Sequence, residues 1–480
     1  MMTECNGQIM MFQGHGKRRV EAEFDGGKIS SDAGAVLLRE LELKESIVEE
    51  FAKECFIDYR DARFIEFRVE ELIKQRVFGL ALGYEDLNDH DQLRVDPLLA
   101  MLCGREDPTG EDRRCDQDKG KPLAGKSTLN RLELYSGDSR RDGKYKKIES
   151  KPEAIEEFFV ARFLRVQREV PWRIYLDLDT TDDRVHGNQE GKYFQGHYDS
   201  YCYLPLYIFC GDHLLCAKLK TADKEAADGA LDEIKRIVAQ IRKWWPKTEI
   251  VIRGDSGFCR DEIMTWAEQQ QDVYYILGLG RNTRLLGGIE RQMEQAQLRY
   301  EITGESARVF TEFSYRTRKT WSCDRRVIAK AEHMGQGANP RFVVTSLPYF
   351  DVDWKDEVTV LDAKHLYEEV YCARGDMENR IKEQQLDLFA DRTSTHWLKS
   401  NQIRLWLASA AYILLSEVRR IGLAGTKLAR AYCGTIREKL LKIGARIFIS
   451  VRRIKVSISS AYPQQELFRL VWERLRAPDT

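Results

Sequence analysis

The stretch Trp172-Arg-Ile-Tyr-Leu-Asp177-Leu-Asp179-Thr-Thr-Asp-Asp183 is where the chain changes from a helical to a strand-like pattern. Its apolar residues recur with period two, which predicts a buried strand over 174–179. Asp177 and Asp179 point to the same face of that strand, because side chains two residues apart share a face. The stretch therefore predicts an α/β fold with a carboxylate where a buried strand ends. This pattern alone does not decide which of the two is the functional acid and which is its supporting neighbour.

Two further acids lie on other elements. Asp255 closes the apolar run Glu249-Ile-Val-Ile-Arg-Gly-Asp255. Glu378 lies within Tyr371-Cys-Ala-Arg374-Gly-Asp-Met-Glu378-Asn-Arg-Ile-Lys382-Glu-Gln-Gln385, and helical spacing predicts that the numbered residues of this run share one face. If the three acids converge, they suit two Mg²⁺ ions for phosphodiester chemistry. Each acid alone also fits a plainer role, as a turn residue at a strand end or a solvated carboxylate on a helix.

The elements after Asp183 alternate between strand and helix patterns. The patterns predict a hairpin across Cys210-Gly-Asp212, followed by a helix, a strand, a helix and a strand over 226–244, 249–253, 261–270 and 273–279. The pattern changes over 281–350, where 308–315, 320–332 and 341–347 have strand character with Gly-rich turns between them. Residues 396–445 are helical, and 446–459 alternates like one strand. Periodicity by itself leaves several mixed α/β folds open.

Seven stretches, taken together and in order, resemble the DDE transposases of bacterial insertion sequences. The resemblance is to the group with a Tyr-Arg-Glu-Lys signature, and within it to the insertion-sequence-1380 type. The stretches are Ser31-Asp-Ala-Gly-Ala-Val-Leu-Leu-Arg39, Gly83-Tyr-Glu-Asp-Leu-Asn88, Leu123-Ala-Gly-Lys-Ser-Thr-Leu-Asn-Arg-Leu-Glu133, Asp179-Thr-Thr181, His186-Gly-Asn-Gln-Glu-Gly191, Arg253-Gly-Asp-Ser-Gly-Phe258 and the run around Glu378.

The resemblance implies a ribonuclease-H-like catalytic core, interrupted by a β-rich insertion, between helical N- and C-terminal regions. It implies that Asp179, Asp255 and Glu378 are the catalytic residues and hold two Mg²⁺ or Mn²⁺ ions. One position departs from the signature, because Gln385 stands where the group has Lys. The role of that Lys would then pass to Lys382, one helical turn closer to Glu378.

We predict five regions along the chain. They are a helical DNA-binding region over 1–170, the first part of the core over 171–280, the β-rich insertion over 281–351, the second part of the core with the third acid over 352–395, and a basic, mostly helical region over 396–480. The last region is basic because residues 400–462 contain twelve Lys or Arg and two Glu. That charge would attract a polyanion although the whole chain has a net charge of −1. A helix face solvated by Lys and Arg is the plainer interpretation.

Three groups of residues are predicted to bind DNA. Tyr371, Arg374 and Lys382 flank the third acid. The resemblance implies that Arg374 donates to a DNA phosphate near the cut, whereas its plainer role is an ion pair with Glu378. The second group, from the helix after Gly125, is Lys126, Asn130 and Arg131. The third group is Arg452, Arg453 and Lys455, cations inside an apolar alternating run.

Other residues keep two interpretations. His186 fits a DNA contact or a structural loop, and Trp321 and Trp354 fit base stacking or core packing. Gly120-Lys-Pro-Leu-Ala-Gly125-Lys-Ser127 matches the phosphate-loop pattern, but charged residues precede it where that loop needs a buried strand. We therefore predict that ATP has no role.

Composition bounds the remaining possibilities. A hydrophobic fraction of 43% with 32% charged residues is ordinary for a soluble globular protein, and no apolar run is long enough to span a bilayer. Eleven cysteines without paired spacing indicate reduced thiols in a cytoplasmic protein. We expect the protein to be associated with the bacterial nucleoid when it is bound to DNA.

The function that we predict is a transposase that binds the terminal inverted repeats of its element as a homodimer. It would cleave the ends of double-stranded DNA and join the 3′-hydroxyls to target DNA. The alternatives are a metal-dependent nuclease that does not join, and a non-catalytic DNA-binding protein derived from a transposase.

Overall fold

The structure, a computed structural model, describes residues 9–134, 148–352 and 358–478. The chain forms two compact units. Unit 1 comprises Met1–Lys151, Asp387–Phe389 and Ala410–Thr480, and unit 2 comprises Pro152–Leu386 and Ala390–Ser409. No helix among the described residues is long and apolar enough to cross a membrane.

The N-terminal part of unit 1 combines short strands with helices. Its elements are β1 Met10–His15, β2 Arg18–Ala22, β3 Ile29–Ser30, α1 Val36–Glu45, α2 Ile47–Cys55, β4 Phe56–Asp58, α3 Val69–Ala81, α4 His90–Leu93, α5 Pro97–Leu102, α6 Lys126–Glu133 and β5 Ile148–Ser150. Capping explains why α5 begins where it does. The Asp96 carboxylate accepts from the N–H groups of Leu98 and Leu99, and Pro97 takes the first helical position.

Unit 2 contains most of the strands. Its elements are α7 Pro152–Val166, β6 Arg173–Thr180, β7 Asp183–Arg184, β8 Tyr193–Gln195, β9 Ser200–Tyr203, β10 Leu206–Cys210, β11 His213–Lys218, α8 Ala230–Trp244, β12 Glu249–Gly254, α9 Asp261–Glu268, β13 Val273–Leu279, α10 Thr283–Gly288, α11 Glu290–Thr303, β14 Ala307–Tyr315, β15 Arg325–Met334, β16 Gly337–Ala338, β17 Arg341–Thr345, β18 Phe350–Val352, β19 Val358–Val360, α12 Ala363–His365, α13 Gly375–Lys382 and α14 Leu398–Glu417. The last turns of α14 belong to unit 1. Unit 1 then continues with α15 Cys433–Ile436, β20 Ala445–Ser450, β21 Arg453–Ile458 and α16 Gln465–Arg476.

A nine-stranded mixed sheet forms the centre of unit 2, with the order β11-β10-β6-β12-β13-β17-β15-β14 and β16 paired to β15. Strands β6, β12 and β13 are parallel, while β10 runs antiparallel to β6 and β11 antiparallel to β10. The sheet is buried on both faces. On β12, Ile250 and Ile252 pack into one apolar cluster with α8, and Val251 packs into another with Leu366 and Val370. This two-sided burial explains the unbroken apolar run of β12. The predicted mixed α/β fold is confirmed.

Segments in both units differ from the expected elements. Residues 283–303 are helical, and Glu290–Thr303 consists of good helix formers. The sequence did not predict this helix, because it buries little besides Ala296 and therefore shows no apolar period. The strands β14, β15 and β17 extend the main sheet. Residues 445–458 form a hairpin rather than one strand. The sequence did not predict its turn, because no Gly or Pro stands at 451–452. The strands β1 and β2 form another hairpin, which the polar sequence did not suggest.

Candidate active site

Asp179 and Asp255 come from neighbouring parallel strands. The register pairs Arg253 with Asp177 and Gly254 with Leu178. The next step along both strands therefore sets Asp255 beside Asp179 at the carboxyl ends of β6 and β12. Backbone N–H groups orient both carboxylates, with Thr180 donating to Asp179 at 2.9 Å and Gly257 donating to Asp255 at 2.9 Å.

Asp177 has a different partner from Asp179, although the two acids share a face of β6. The Arg253 guanidinium donates two hydrogen bonds to the Asp177 carboxylate, at 2.5 Å and 2.7 Å. A third donation reaches the Val370 carbonyl at 2.7 Å. All three residues are buried. This pair joins two strands and the segment that leads to Glu378, so Arg253 is a structural residue of the site that sequence reasoning missed.

Arg374 links the first acid to the third. Its Nη1 donates to Asp179 Oδ2 at 3.0 Å, and its Nη2 lies 3.6 Å from Glu378 Oε1. The side chain of Arg374 is 15% exposed, whereas that of Glu378 is 52% exposed. The ion pair with Glu378 that we expected as the plainer role is present. The additional contact with Asp179 was not expected, because the two residues are 195 positions apart in the sequence.

Burial dominates the electrostatics of Asp179. Burial raises the pKa of Asp179 to about 6, and the neighbouring charge of Asp255 acts in the same direction. Arg374 and the Thr180 N–H oppose the increase. Burial also raises the pKa of Tyr198 to about 12, with the charges of Asp182 and Asp179 contributing. Tyr198 therefore lies close to these acids, and no sequence signal had singled it out.

Tyr371 packs beside Asp255 over a position that requires glycine. A Cβ at Gly278 would come within 2.7 Å of the Tyr371 hydroxyl and 3.1 Å of the Asp255 carbonyl carbon. The Tyr371 ring also lies 5.7 Å from that of Tyr367. Tyr371 is half-buried, and burial raises its pKa.

The run from 366 to 387 is helical but not one regular α-helix. Residues Leu366–Tyr371 and Glu383–Asp387 are π-helical, and Cys372–Arg374 forms a 3₁₀ turn before α13. These changes of period shift the helix face. The single face predicted for the five residues therefore does not continue to Gln385, which lies in the second π-helical segment.

Gln385 and Lys382 consequently have different surroundings. Gln385 donates to the Asp182 carbonyl at 3.1 Å and to Asp183 Oδ1 at 2.9 Å, and it accepts from Thr181 at 3.4 Å. It therefore ties the third-acid segment to the loop that follows Asp179. Lys382 is exposed on α13.

The other residues predicted to bind DNA belong to unit 1. Lys126 and Arg131 are exposed on α6 and Asn130 is half-buried there, while the Lys126 ammonium lies 3.1 Å from the Asp91 carboxylate. The remaining three lie at the turn and in the second strand of the β20–β21 hairpin, where all are exposed: Arg452, Arg453 and Lys455.

The histidine and the two tryptophans with two possible roles lie in different surroundings. His186 is exposed in the loop between β7 and β8. Trp321 is 5% exposed and packs edge-on against Tyr315, so it is a core residue. Trp354 lies outside the described residues. A 3₁₀ turn, Asp116–Asp118, precedes the phosphate-loop-like stretch in place of a buried strand.

Carboxylates are the ligands that Mg²⁺ and Mn²⁺ prefer, so the donor types of this site fit a divalent cation. The repulsion between Asp179 and Asp255 is the condition that such a cation relieves. Within the described residues, no three His, Cys, Asp or Glu side chains are gathered closely enough to hold a metal. The Arg374 guanidinium stands between Asp179 and Glu378, so a cation shared by those two acids would compete with it.

Comparison with known proteins identifies the family. A family model described as "Transposase DDE domain group 1" matches residues 12–480. The chain belongs to this family of DDE transposases. The resemblance predicted from the seven stretches is thereby confirmed at the level of the family. DDE transposases generally use divalent metal ions, in agreement with the donor types at Asp179, Asp255 and Glu378.

More distant comparisons add little to the family assignment. No match was found among curated proteins. Among solved structures, this transposase is similar to a cryo-EM structure of the piggyBac transposase synaptic complex with hairpin DNA. The two chains share 10% identity at a TM-score of 0.44, over 94% of this chain and 83% of the other. A likeness this distant does not bear on the details of the site.

Proposed function

We propose that this DDE transposase binds the terminal inverted repeats of its own element, cleaves the element's ends and joins the freed 3′-hydroxyls to target DNA. The observation that carries the proposal is the pairing of Asp179 with Asp255 at two strand ends, joined through Arg374 to Glu378. We assign the chain to the Tyr-Arg-Glu-Lys group and to the insertion-sequence-1380 type.

The catalytic core in this proposal is ribonuclease-H-like. The sheet order β11-β10-β6-β12-β13 supports it, because β6, β10 and β11 are antiparallel in succession and the next two strands are parallel to β6. In this arrangement the first acid lies on the central strand β6 and the second directly follows its parallel neighbour β12. The contact between α13 and β6 supports a third acid, Glu378, at the same strand ends.

Asp179, Asp255 and Glu378 would hold two Mg²⁺ or Mn²⁺ ions. When bound, such ions activate the attacking oxygen and stabilise the leaving oxygen of the scissile phosphodiester. The buried Arg253–Asp177 pair fixes the separation of the two strands that carry the first two acids. Arg374, released from Asp179, is a fork-shaped donor for a DNA phosphate near the cut, with Tyr371 and Lys382 beside it.

Binding of the DNA duplex is assigned to the exposed cations of unit 1. Lys126 and Arg131 on α6, with Asn130, form one contact region. Arg452, Arg453 and Lys455 on the β20–β21 hairpin form another. The transposase would act in the cytoplasm as a homodimer, because two element ends have to be cut and joined together.

Incubation with DNA that flanks the gene tests the proposal. Duplexes cut from both flanks are incubated with the full chain in Mg²⁺, in Mn²⁺ and in EDTA. We expect cleavage at inverted repeats with either ion and none with EDTA. Pre-cut duplexes with free 3′-hydroxyls, mixed with a supercoiled plasmid, should become joined to it. Cleavage without joining would identify a nuclease, and binding without cleavage would identify a non-catalytic DNA-binding protein.

A further inference from the structure

The β1–β2 hairpin of unit 1 is a free-standing ribbon with solvent on both faces. Residues 11–21 are all exposed, and Met10 and Ala22 at the base are half-buried. Strands β1 and β2 form a sheet of their own. A two-stranded hairpin is at best marginally stable in water, so such a ribbon gains stability when a partner covers it.

Two glycines set the shape of the ribbon's tip. Gly16 begins the two-residue turn between His15 and Arg18 with a φ of +61°, which suits glycine in a type II′ hairpin turn. A Cβ at Gly14 would come within 2.9 Å of the Arg18 carbonyl oxygen. A bulge at 13–14 opposes Arg19 and bends the ribbon. The shape of the tip therefore depends on glycine at both positions.

The tip is strongly basic. Lys17, Arg18 and Arg19 follow one another at the turn and are all exposed. Within the part of the chain that the structure describes, these three side chains form no ion pair, in contrast to Arg63, which pairs with Asp61 at 2.7 Å. The only acid on either strand is Glu21, toward the base. Unpaired cations on a projecting tip match the phosphates of a nucleic acid.

The chain connects this ribbon to the second basic hairpin of unit 1. Strand β2 ends at Ala22, and β3 begins at Ile29 and pairs with β20. The connecting residues 23–28 can span at most about 24 Å when fully extended. A duplex on the β20–β21 hairpin is therefore within reach of the β1–β2 tip.

From these observations we infer that the β1–β2 hairpin is a DNA-binding arm whose tip residues Lys17, Arg18 and Arg19 contact the backbone of double-stranded DNA. A two-stranded ribbon is narrow enough to enter the major groove. The arm supplies phosphate contacts without reading sequence, and Phe12 and Val20, which face each other across the strands, keep it rigid. This inference rests on the proposed function in that the DNA is the transposase's substrate.

The test is a salt titration of duplex binding. The full-length Lys17→Gln/Arg18→Gln/Arg19→Gln variant and the wild type are titrated with a fluorescently labelled mixed-sequence duplex of about 30 base pairs at several salt concentrations. The slope of log affinity against log salt should fall by about 0.9 for each phosphate that the variant no longer neutralises, so by about 2 to 3 in total. Affinity at low salt should fall by roughly 10- to 1,000-fold when two to three phosphates are no longer neutralised. The decrease in the logarithm of the affinity should follow the change in slope.

A matched control removes three exposed cations on and just after α8, by the substitutions Lys235→Gln/Lys243→Gln/Lys247→Gln, and changes the net charge equally. Its slope should equal that of the wild type. An unchanged slope in the tip variant overturns the inference, as does an equal decrease in both variants. A change in sedimentation of the DNA-free tip variant, with an unchanged slope, would instead identify the ribbon as a contact between two copies. The titration contains no cleavage step, so its result is independent of the flank-cleavage assay. An unchanged slope would overturn the arm and leave the proposed function intact, whereas failure of flank cleavage would overturn the proposed function and leave the slope result intact.

Discussion

The acid site of unit 2 and the β20–β21 hairpin of unit 1 arrange their charges in opposite ways. At the acid site the charged groups face one another: Asp179 meets Arg374 and Asp255, and Asp177 meets Arg253. On the hairpin Arg452, Arg453 and Lys455 are exposed, and they form no ion pair with any residue that the structure describes. The first arrangement can make chemistry depend on each single group, whereas the second supplies contacts that add to one another.

The largest expected effect is at the acid site. Replacing Asp179, Asp255 or Glu378 with Ala should lower the single-turnover rate of end cleavage by at least about 1,000-fold, because each carboxylate is a ligand that the ions need. Affinity for duplex DNA should remain within a few fold, since binding rests on other residues. Asp376→Ala removes an exposed acid from the same helix as Glu378 and is the matched control. Cleavage by Glu378→Ala at the rate of that control would remove Glu378 from the site.

The second effect separates the two acids of β6 by stability. Asp177→Ala leaves the Arg253 guanidinium buried without its charge partner, and the free energy of unfolding should fall by about 3–5 kcal/mol. Asp179→Asn should act in the opposite direction without metal. The pKa of Asp179, about 6, exceeds its ordinary value of 3.8, so the fold disfavours the ionised carboxylate. The penalty is absent below the ordinary pKa, grows as the pH rises from there to the folded pKa, and is complete above it.

Urea unfolding in EDTA at two pH values measures this contrast. At pH 7.5 Asp179→Asn should be more stable than the wild type by on the order of 1–3 kcal/mol, and at pH 4 or below the two should converge. Adding Mn²⁺ at pH 7.5 should stabilise the wild type and leave Asp179→Asn nearly unchanged. If Asp179→Asn is less stable than the wild type at pH 7.5 in EDTA, the ion pair of Asp179 with Arg374 outweighs the burial of the carboxylate and its repulsion from Asp255.

The third effect concerns the basic hairpin and should be graded. Neutralising Arg452, Arg453 and Lys455 together should lower the salt slope of duplex binding by up to about 0.9 for each contact, and single replacements should each give a part of that decrease. Maximal cleavage at saturating DNA should stay near the wild-type rate. If one replacement accounts for the whole change, the contacts are not additive and the contrast with the acid site fails.

The sequence predicted the local parts of this molecule better than the tertiary ones. Strands β6, β12 and β13 follow from the period of their apolar residues, a signal that extends over a few residues. The contact between Arg374 and Asp179 and the pairing of Gln385 with Asp183 join distant positions, so no local pattern contains them. The β1–β2 hairpin was missed for another reason. Its exposed strands bury no face, and the alternation that predicts strands was therefore absent.

The smallest expected effects distinguish Lys382 from Gln385, the two residues that could replace the Lys of the signature. Lys382 is exposed on the helix of Glu378, so we expect the Lys382→Ala variant to neutralise about one phosphate fewer than the wild type. The salt slope should fall by about 0.9, and the cleavage rate at saturating DNA should be unchanged. Lys364→Ala, which removes an exposed cation from α12, is the matched control and should leave the slope unaltered.

Gln385 should instead act on the rate. Its amide holds the Asp182 carbonyl and the Asp183 carboxyl group of the loop that follows Asp179, so Gln385→Ala frees that loop. We expect an unchanged salt slope and a single-turnover cleavage rate lowered by up to about tenfold, because small displacements of an acid ligand weaken catalysis. Gln385→Lys should retain most of the rate, since an ammonium can also donate to the Asp183 carboxyl group. A wild-type slope for Lys382→Ala together with a reduced slope for Gln385→Ala would show that position 385, not 382, faces the DNA phosphate.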